Sequence, residues 1–514
     1  MQVFMQPLEK LSEYGELKDR LPKHKGILQL SGCVESQKAH MIYGLLEGLR
    51  KDGKACGKNC LIVAENDLKA KELYEDYRLY DRDVYLYPTK DLIFFQADIH
   101  GNLLTRERMK VIAALLQKKG VTVITSMGGC MDYLLPLYVL EEHTLHFGGD
   151  SPLDMEKLKK KLLGMGYERC AQAELPGQFC FRGGIIDIFP LTEENPVRIE
   201  LWGDEIDSIR SFDAESQRSI ENLDEITIYP ASEIVLSPEV LKKGLEKIEK
   251  EKNLTVKKFR EDFLTEEGAR LKQSVEEAVD CLKEFEDFSV AEHFLRYFYK
   301  DAVTFTDYFQ TEETLVILDE TNRLVEQGTA VEAEFQESMK HRLEKGYLLP
   351  GQTDLLISCK QAVSKLNKKK CVSLCTIEQQ KGDWDIKDQF HISAQSVSPY
   401  NNSFELLVKD LKQYRKNGYQ VLLLSGSRTR AARLAEDLRE EGLNSFYTED
   451  MNRVLAPGEI MTAFGRMRRG FEYPLVKFVM ITESDIFGEA KKEAAEKSRV
   501  QRKENTEFFR IEHW

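Results

Sequence analysis

No stretch of this 514-residue sequence approaches 18 consecutive apolar residues, and no charged N-terminal segment leads into an apolar run, so neither a membrane span nor a secretory leader is expected. The ten cysteines include no C-x-x-C pair. The nearest neighbours, Cys56 with Cys60 and Cys371 with Cys375, have no companion histidines at zinc-finger spacing, so reduced thiols are expected, with neither a metal site nor disulfides. The nine histidines are dispersed, and no Ser/His/Asp or Cys/His arrangement suggests a nucleophilic enzyme. Basic charge is in deficit: the formal net charge is −14, which argues against a chain whose main task is to grip DNA phosphates. With no low-complexity tract, these absences leave a folded, cytosolic, multidomain chain, too long for one core and expected to hold roughly three or four domains.

What is present begins with alternation. From Gly26, short apolar runs (GILQLSG, CLIVAEN, VYLYP, VTVITS) alternate with amphipathic helical patterns starting near Ser36 and Asp67. Such β and α units imply a parallel sheet covered by helices. Near Met131 the rhythm changes to a strand-rich segment that runs to ITIYP at 226–230. A helical, charge-rich stretch follows from Pro238 to about Tyr299 and leads to TLVILDE, an apolar strand ending in Asp319 and Glu320 that resembles another member of the first sheet. Residues 340–370 are polar and intermittently basic and read as a connector. A helix–strand–helix pattern with stops at Gly418 and Gly442, then EIMTAF and VKFVMITESDIFG, makes a second small α/β domain, and a charged, helix-prone run closes the chain.

Phe179 to Arg218 reads as a specific surface. Val197, Ile199, Leu201, Ile206 and Ser208 recur on one side, while Arg198, Glu200 and Trp202 take the other, the period of half-buried strands. Gly183-Gly184, Glu194-Asn195-Pro196 and Gly203-Asp204 supply turn chemistry, so three or four short antiparallel strands should meander here.

The loop after the first strand reads Gly32-Cys33-Val34-Glu35-Ser36-Gln37-Lys38-Ala39, where a phosphate-binding loop would read G-x-x-x-x-G-K-[ST]. Gln37 replaces the glycine that lets backbone N–H groups converge on phosphate, Ala39 replaces the magnesium-binding hydroxyl, and Glu35 adds a negative charge. Gly32 and Lys38, with Asp319 and Glu320 at the end of a later strand, therefore form a degenerate nucleotide site, or the two acids are ordinary polar strand-end caps. Ser425-Gly426-Ser427-Arg428 could hold phosphate at a helix N-terminus or serve as a capping turn, and Arg466, Arg468 and Arg469 could bind nucleic acid or be solvated.

FRGGIIDIFP followed by RIELWGDEIDSIRSFD resembles the domain shared by the excision-repair protein UvrB and the N-terminal part of the bacterial transcription-repair coupling factors, the Mfd family, and the trailing SQR favours the latter. The resemblance covers nearly the whole chain, most strongly 160–220 and ITESDIFG. It implies an α/β multidomain fold: a degenerate helicase-like (RecA/UvrB-type) parallel-sheet domain, split by an inserted β-rich UvrA-binding domain and followed by a second small α/β domain. The expected boundaries are 1–130 and 231–340 for the split domain, 131–230 for the insertion, 341–395 for the connector, 396–490 for the small α/β domain and 491–514 for a charged tail. The aromatic hairpin of UvrB is expected to be missing between Phe94-Phe95 and Thr105-Arg106.

By that resemblance Arg169, Arg182 and Glu200 would contact UvrA, the damage-sensing ATPase, and Cys180 stands where UvrB carries a further arginine. The chain would bind rather than catalyse, needing no cofactor. RNA polymerase and DNA would be engaged by C-terminal domains of the full-length family member, an ATP-dependent translocase that displaces stalled polymerase, and no membrane would be involved. Two other readings stand beside this one: a UvrB-type ATPase acting on damaged DNA, and a purely structural module in which Arg182, Arg198, Glu200 and Asp187 merely cross-pair on an exposed sheet face.

Overall fold

The computed structural model describes residues 1–90, 101–148, 153–284, 289–380 and 382–488. Phe94, Phe95 and the charged tail lie outside the described residues. The architecture is α/β and multidomain. Its centre is a seven-stranded sheet in the order Ile386–His391, Gly26–Ser31, Lys370–Leu374, Thr314–Asp319, Asn59–Ala64, Thr122–Ser126, Val84–Tyr87, parallel throughout. Alternate residues feed opposite faces: Ile27, Leu61 and Val63 enter one apolar cluster, and Leu28, Leu30 and Ile62 enter another. Both faces are covered, so the strands read as continuous apolar runs.

The segment expected to be a connector, 341–395, supplies two strands of this sheet, Lys370–Leu374 and Ile386–His391, and the helix Cys359–Leu366. A fully buried parallel strand shows no alternation. The short run Cys371-Val372-Ser373-Leu374, placed directly after Lys368, Lys369 and Lys370, therefore carried too little pattern to be separated from its polar surroundings. The residues just after Met131 also stay with the first unit. Tyr133–Leu134 pairs with Val303–Thr304, and Leu134, Leu135, Val139 and Leu140 sit in the first cluster.

The second α/β unit has six strands, ordered Gln395–Ser396, Phe471–Tyr473, Phe478–Thr482, Gln420–Ser425, Ile460–Phe464, Ser445–Tyr447. Its Leu422, Leu424, Met461, Phe471 and Phe478 join the same cluster as Leu28, Leu30, Met41 and Leu45. The helix Glu35–Lys51, which follows the first strand, therefore lies in an apolar layer shared by both units.

The inserted unit is a six-stranded sheet ordered Ser219–Asn222, Glu205–Phe212, Val197–Trp202, Ile185–Ile188, Gln178–Arg182, Glu168–Arg169, antiparallel except for the last pair. The helix Met155–Gly164, capped by Asp154 accepting from the Lys157 N–H at 3.0 Å, buries Leu158 and Leu162 against Phe179, Ile186, Ile188, Val197, Ile199 and Ile209. Arg108 joins Asp132, inside the parallel-sheet unit, to Glu233, where the chain returns from the insertion. Its fully buried guanidinium donates to Asp132 at 3.2 Å, to the Pro88 carbonyl at 2.8 Å and to both carboxylate oxygens of Glu233, and lies 4.1 Å from the Tyr87 ring centre. Arg106, two residues earlier on the same helix, reaches the carbonyls of Leu191 and Glu193 at 3.1 and 3.0 Å. The insertion is thus fastened at its root while its outer face stays open.

Candidate functional site

The outer face of the inserted sheet is a lattice of charges. Asp187, 1% exposed, accepts from Arg198 Nε at 2.6 Å and Arg198 Nη2 at 2.9 Å, and also from Arg182. A carboxylate this deep requires such partners, since burying an unpaired charge is costly. Arg198 is held further by Gln217 at 2.9 Å and by the Phe212 ring, 4.4 Å away. Glu200 accepts from Ser208 at 3.1 Å and from Arg210.

Register explains the last pair. The ladder between Val197–Trp202 and Glu205–Phe212 shifts between Glu200 and Leu201, so Glu200 faces Ser208 while Leu201 faces Ile206. Ser208, expected on the apolar side with Ile206, instead joins the polar face. An extra residue at Asp207, a β-bulge, moves everything beyond it to the other side.

Arg182 and Glu200 occupy one cross-strand row with Ile185 between them. Arg182 keeps 46% of its side chain exposed while paired with Asp187, so its guanidinium is anchored yet reachable. Arg169 does not join this row: it lies on the edge strand opposite Phe179, exposed at the margin of the sheet. Cys180 is buried opposite Asp187 with its thiol 3.7 Å from that carboxylate; burial first, and Asp187 second, push the thiol pKa up. Arg210 and Ser208 had no separate signal in the sequence, because the bulge hides their face.

A second cluster brings Lys38, Asp319 and Glu320 together. Lys38 Nζ donates to Asp319 at 2.6 Å and to Glu320 at 2.7 Å. Burial disfavours the ammonium, but the two carboxylates outweigh it and hold Lys38 above the ordinary lysine range. Asp319 is raised, burial prevailing over Lys38; Glu320 is lowered, because Lys38 and the Thr376 hydroxyl and N–H overcome its desolvation. Glu320 adopts φ 56°, a left-handed conformation, at the start of the helix Thr321–Glu344, and it also accepts from Gln379 at 2.8 Å.

Around this ion triad, the loop docks on other parts of the chain. Gly32 has φ 80°, and a Cβ there would fall 2.0 Å from the Ile392 carbonyl oxygen. Gln37 donates to the Tyr473 hydroxyl at 2.9 Å; that hydroxyl donates to His40 Nδ1 at 3.1 Å, and His40 Nε2 donates to the Phe4 carbonyl at 2.7 Å. The neutral tautomer is fully satisfied, and burial lowers the His40 pKa to about 4. Ser36 donates to Asp76 at 2.9 Å, and Arg468, from the second α/β unit, pairs with Asp76 at 3.0 Å and Glu72 at 2.7 Å.

Arg468, weighed as part of a nucleic-acid patch, is thus committed to joining the two units. The helix start at Ser425–Arg428 is likewise engaged from within the chain, because Glu483 accepts from the Gly426 N–H at 2.6 Å, from Ser425 at 3.1 Å and from Arg430. No helix among the described residues is long and apolar enough to cross a membrane.

A seven-stranded parallel-sheet unit, a second α/β unit sharing its core and a charged antiparallel insertion define an α/β multidomain protein. Residues 145–234 match the UvrB interaction domain family. The chain is a relative of the bacterial transcription-repair-coupling factors. It is 28% identical to the transcription-repair-coupling factor of Bacillus subtilis (strain 168) over 93% of this chain, 27% identical to that of Staphylococcus haemolyticus over 93%, and 26% identical to that of Staphylococcus epidermidis over 86%. It spans about 40% of the length of these relatives.

Proposed function

We propose that this chain is the UvrB-like N-terminal module of a transcription-repair coupling factor and that it acts by binding: its inserted sheet recruits UvrA to sites where RNA polymerase has stalled, in transcription-coupled nucleotide excision repair. The observation that carries the reading is the outer face of the insertion, inside the stretch that matches the UvrB interaction domain. There, Arg182 is fixed by buried Asp187 yet half open to solvent, in one row with Glu200. A planar guanidinium held in place loses little freedom when it forks onto a partner's carboxylate. Arg169 adds a second cation at the margin, and Cys180, buried and uncharged at neutral pH, leaves this face one cation short of UvrB.

The ATP-driven displacement of polymerase, with the contacts to DNA and polymerase, belongs in this proposal to other parts of such a factor. The Lys38 cluster supports a non-catalytic role for this portion. The ammonium that would meet phosphate is already neutralised by Asp319 and Glu320, and Gln37, through the Tyr473 hydroxyl, and Ser36, accepting from the Arg469 N–H at 3.2 Å, tie the loop to the second unit instead of leaving it open. Titration of purified UvrA with the wild-type chain and with Arg169→Ala/Arg182→Ala tests the reading. Equal affinities would remove the proposed contact, and no binding by the wild type would favour a structural role.

A further inference from the structure

Trp202 is 84% exposed, at the end of the same strand that carries Glu200. Leu201 packs into the cluster beneath the sheet, so Trp202 projects from the opposite, charged face. Its isolation has a local cause. On one side runs the Gly183-Gly184 turn, with Gly184 accepting from the Leu201 N–H at 2.8 Å and offering no side chain to cover the indole; on the other is Glu205, directly paired with Trp202 and itself exposed. Gly203, at φ 66°, closes the hairpin immediately after it. A large aromatic on a stiff hairpin, with two side-chain torsions to immobilise and glycines beside it, resembles the residue type that anchors protein interfaces.

We propose that Trp202 is an apolar anchor of the partner-binding face, inserting into an apolar pocket rimmed by Lys or Arg on the protein that binds Arg182. This deepens the UvrA reading and rests on it. The rim follows from charge: Asp204, Glu205 and Asp207 are exposed around the indole, and Glu200 stands two residues before it. With Glu200 neutralised by Arg210, the three exposed carboxylates give the hairpin side of the sheet a negative field, while Arg182 and Arg169, on the last two strands of the other side, make that side positive. The complementary surface is therefore bipolar, with carboxylates for the arginines and cations around the pocket, and it allows one orientation of docking. The same acids disfavour stacking of Trp202 on a nucleic-acid base, because the phosphates would be brought against them.

The test uses the 514-residue chain and purified UvrA, comparing wild type, Arg169→Ala/Arg182→Ala, Trp202→Ala and Trp202→Phe. Trp202→Ala is expected to weaken binding about 30-fold or more, as loss of an interface hot spot does, with an unchanged melting temperature because the side chain is solvent-facing. Trp202→Phe should retain most of the affinity. If the arginine variant loses affinity while Trp202→Ala binds like wild type, the anchor is overturned and the UvrA reading stands. If the wild type does not bind UvrA, both fall. A short single-stranded oligonucleotide that binds the wild type but not Trp202→Ala would overturn the protein pocket in favour of a nucleic-acid ligand.

Discussion

Replacing Lys38 by Met separates a structural ion triad from a phosphate-binding lysine. In the fold, Lys38 is buried between Asp319 at 2.6 Å and Glu320 at 2.7 Å. Methionine keeps the stem's volume but leaves two neighbouring carboxylates with no countercharge, a change that costs about 3–5 kcal/mol when one member of a buried ionic set is removed. The loss should depend on pH. Asp319 already sits above the usual carboxylate range, chiefly through burial, and without Lys38 it will take up a proton more readily, so the penalty shrinks as the solution is made acidic.

Urea unfolding can be followed through Trp384, whose buried indole donates to the Thr321 carbonyl at 3.0 Å, in a background with Trp202→Phe and Trp514→Phe. The midpoint should fall sharply for Lys38→Met at pH 8 and less at pH 5. Adding Asp319→Asn and Glu320→Gln should restore part of the loss. An unchanged midpoint would refute the triad's structural role. So would magnesium-dependent ATP binding by the wild type that Lys38→Met abolishes.

Gly32→Ala should destabilise the fold by about 2–4 kcal/mol, because the added Cβ meets the Ile392 carbonyl at 2.0 Å and the backbone holds φ 80°; denaturant midpoints measure it, and a neutral outcome would show that the strand end can shift. His40 gives a pH dependence of definite sign. Its folded pKa of about 4 lies below the unfolded value of about 6.5, so its contribution is complete above 6.5 and is lost as pH falls towards 4, by about 3 kcal/mol in total. His40→Gln should flatten that part of the stability profile, and an unaltered slope would assign the acid sensitivity to other groups.

The sheet-forming stretches with a clear period were legible in the sequence. Val197, Ile199 and Leu201 against Arg198, Glu200 and Trp202 announced both faces of the insertion, and the glycine pairs announced its turns. Ser208 was misplaced because a single bulged residue inverts the alternation, and nothing in local composition marks it. The strand Lys370–Leu374 was missed for the opposite reason: buried on both faces, it has no alternation to read. Lys38, Asp319 and Glu320 were each visible, but their mutual neutralisation was not. The contact joins residues 281 and 282 positions apart, and only the parallel order of the strands brings them together. The fastening of the insertion by Arg108 is likewise not legible in the sequence, since Asp132 and Glu233 converge on it only in three dimensions.

The central claim is that the charged face of the insertion binds UvrA through side chains fixed on the sheet. Calorimetric titration of UvrA into the wild-type chain and into Arg182→Ala addresses it most directly, because Arg182 is held by Asp187 and projects from the row shared with Glu200. The account predicts saturable binding by the wild type and a loss of about 2 kcal/mol, roughly 30-fold in affinity, for the variant, which stays folded because Arg198 still pairs with Asp187. Identical isotherms for the two proteins would contradict it.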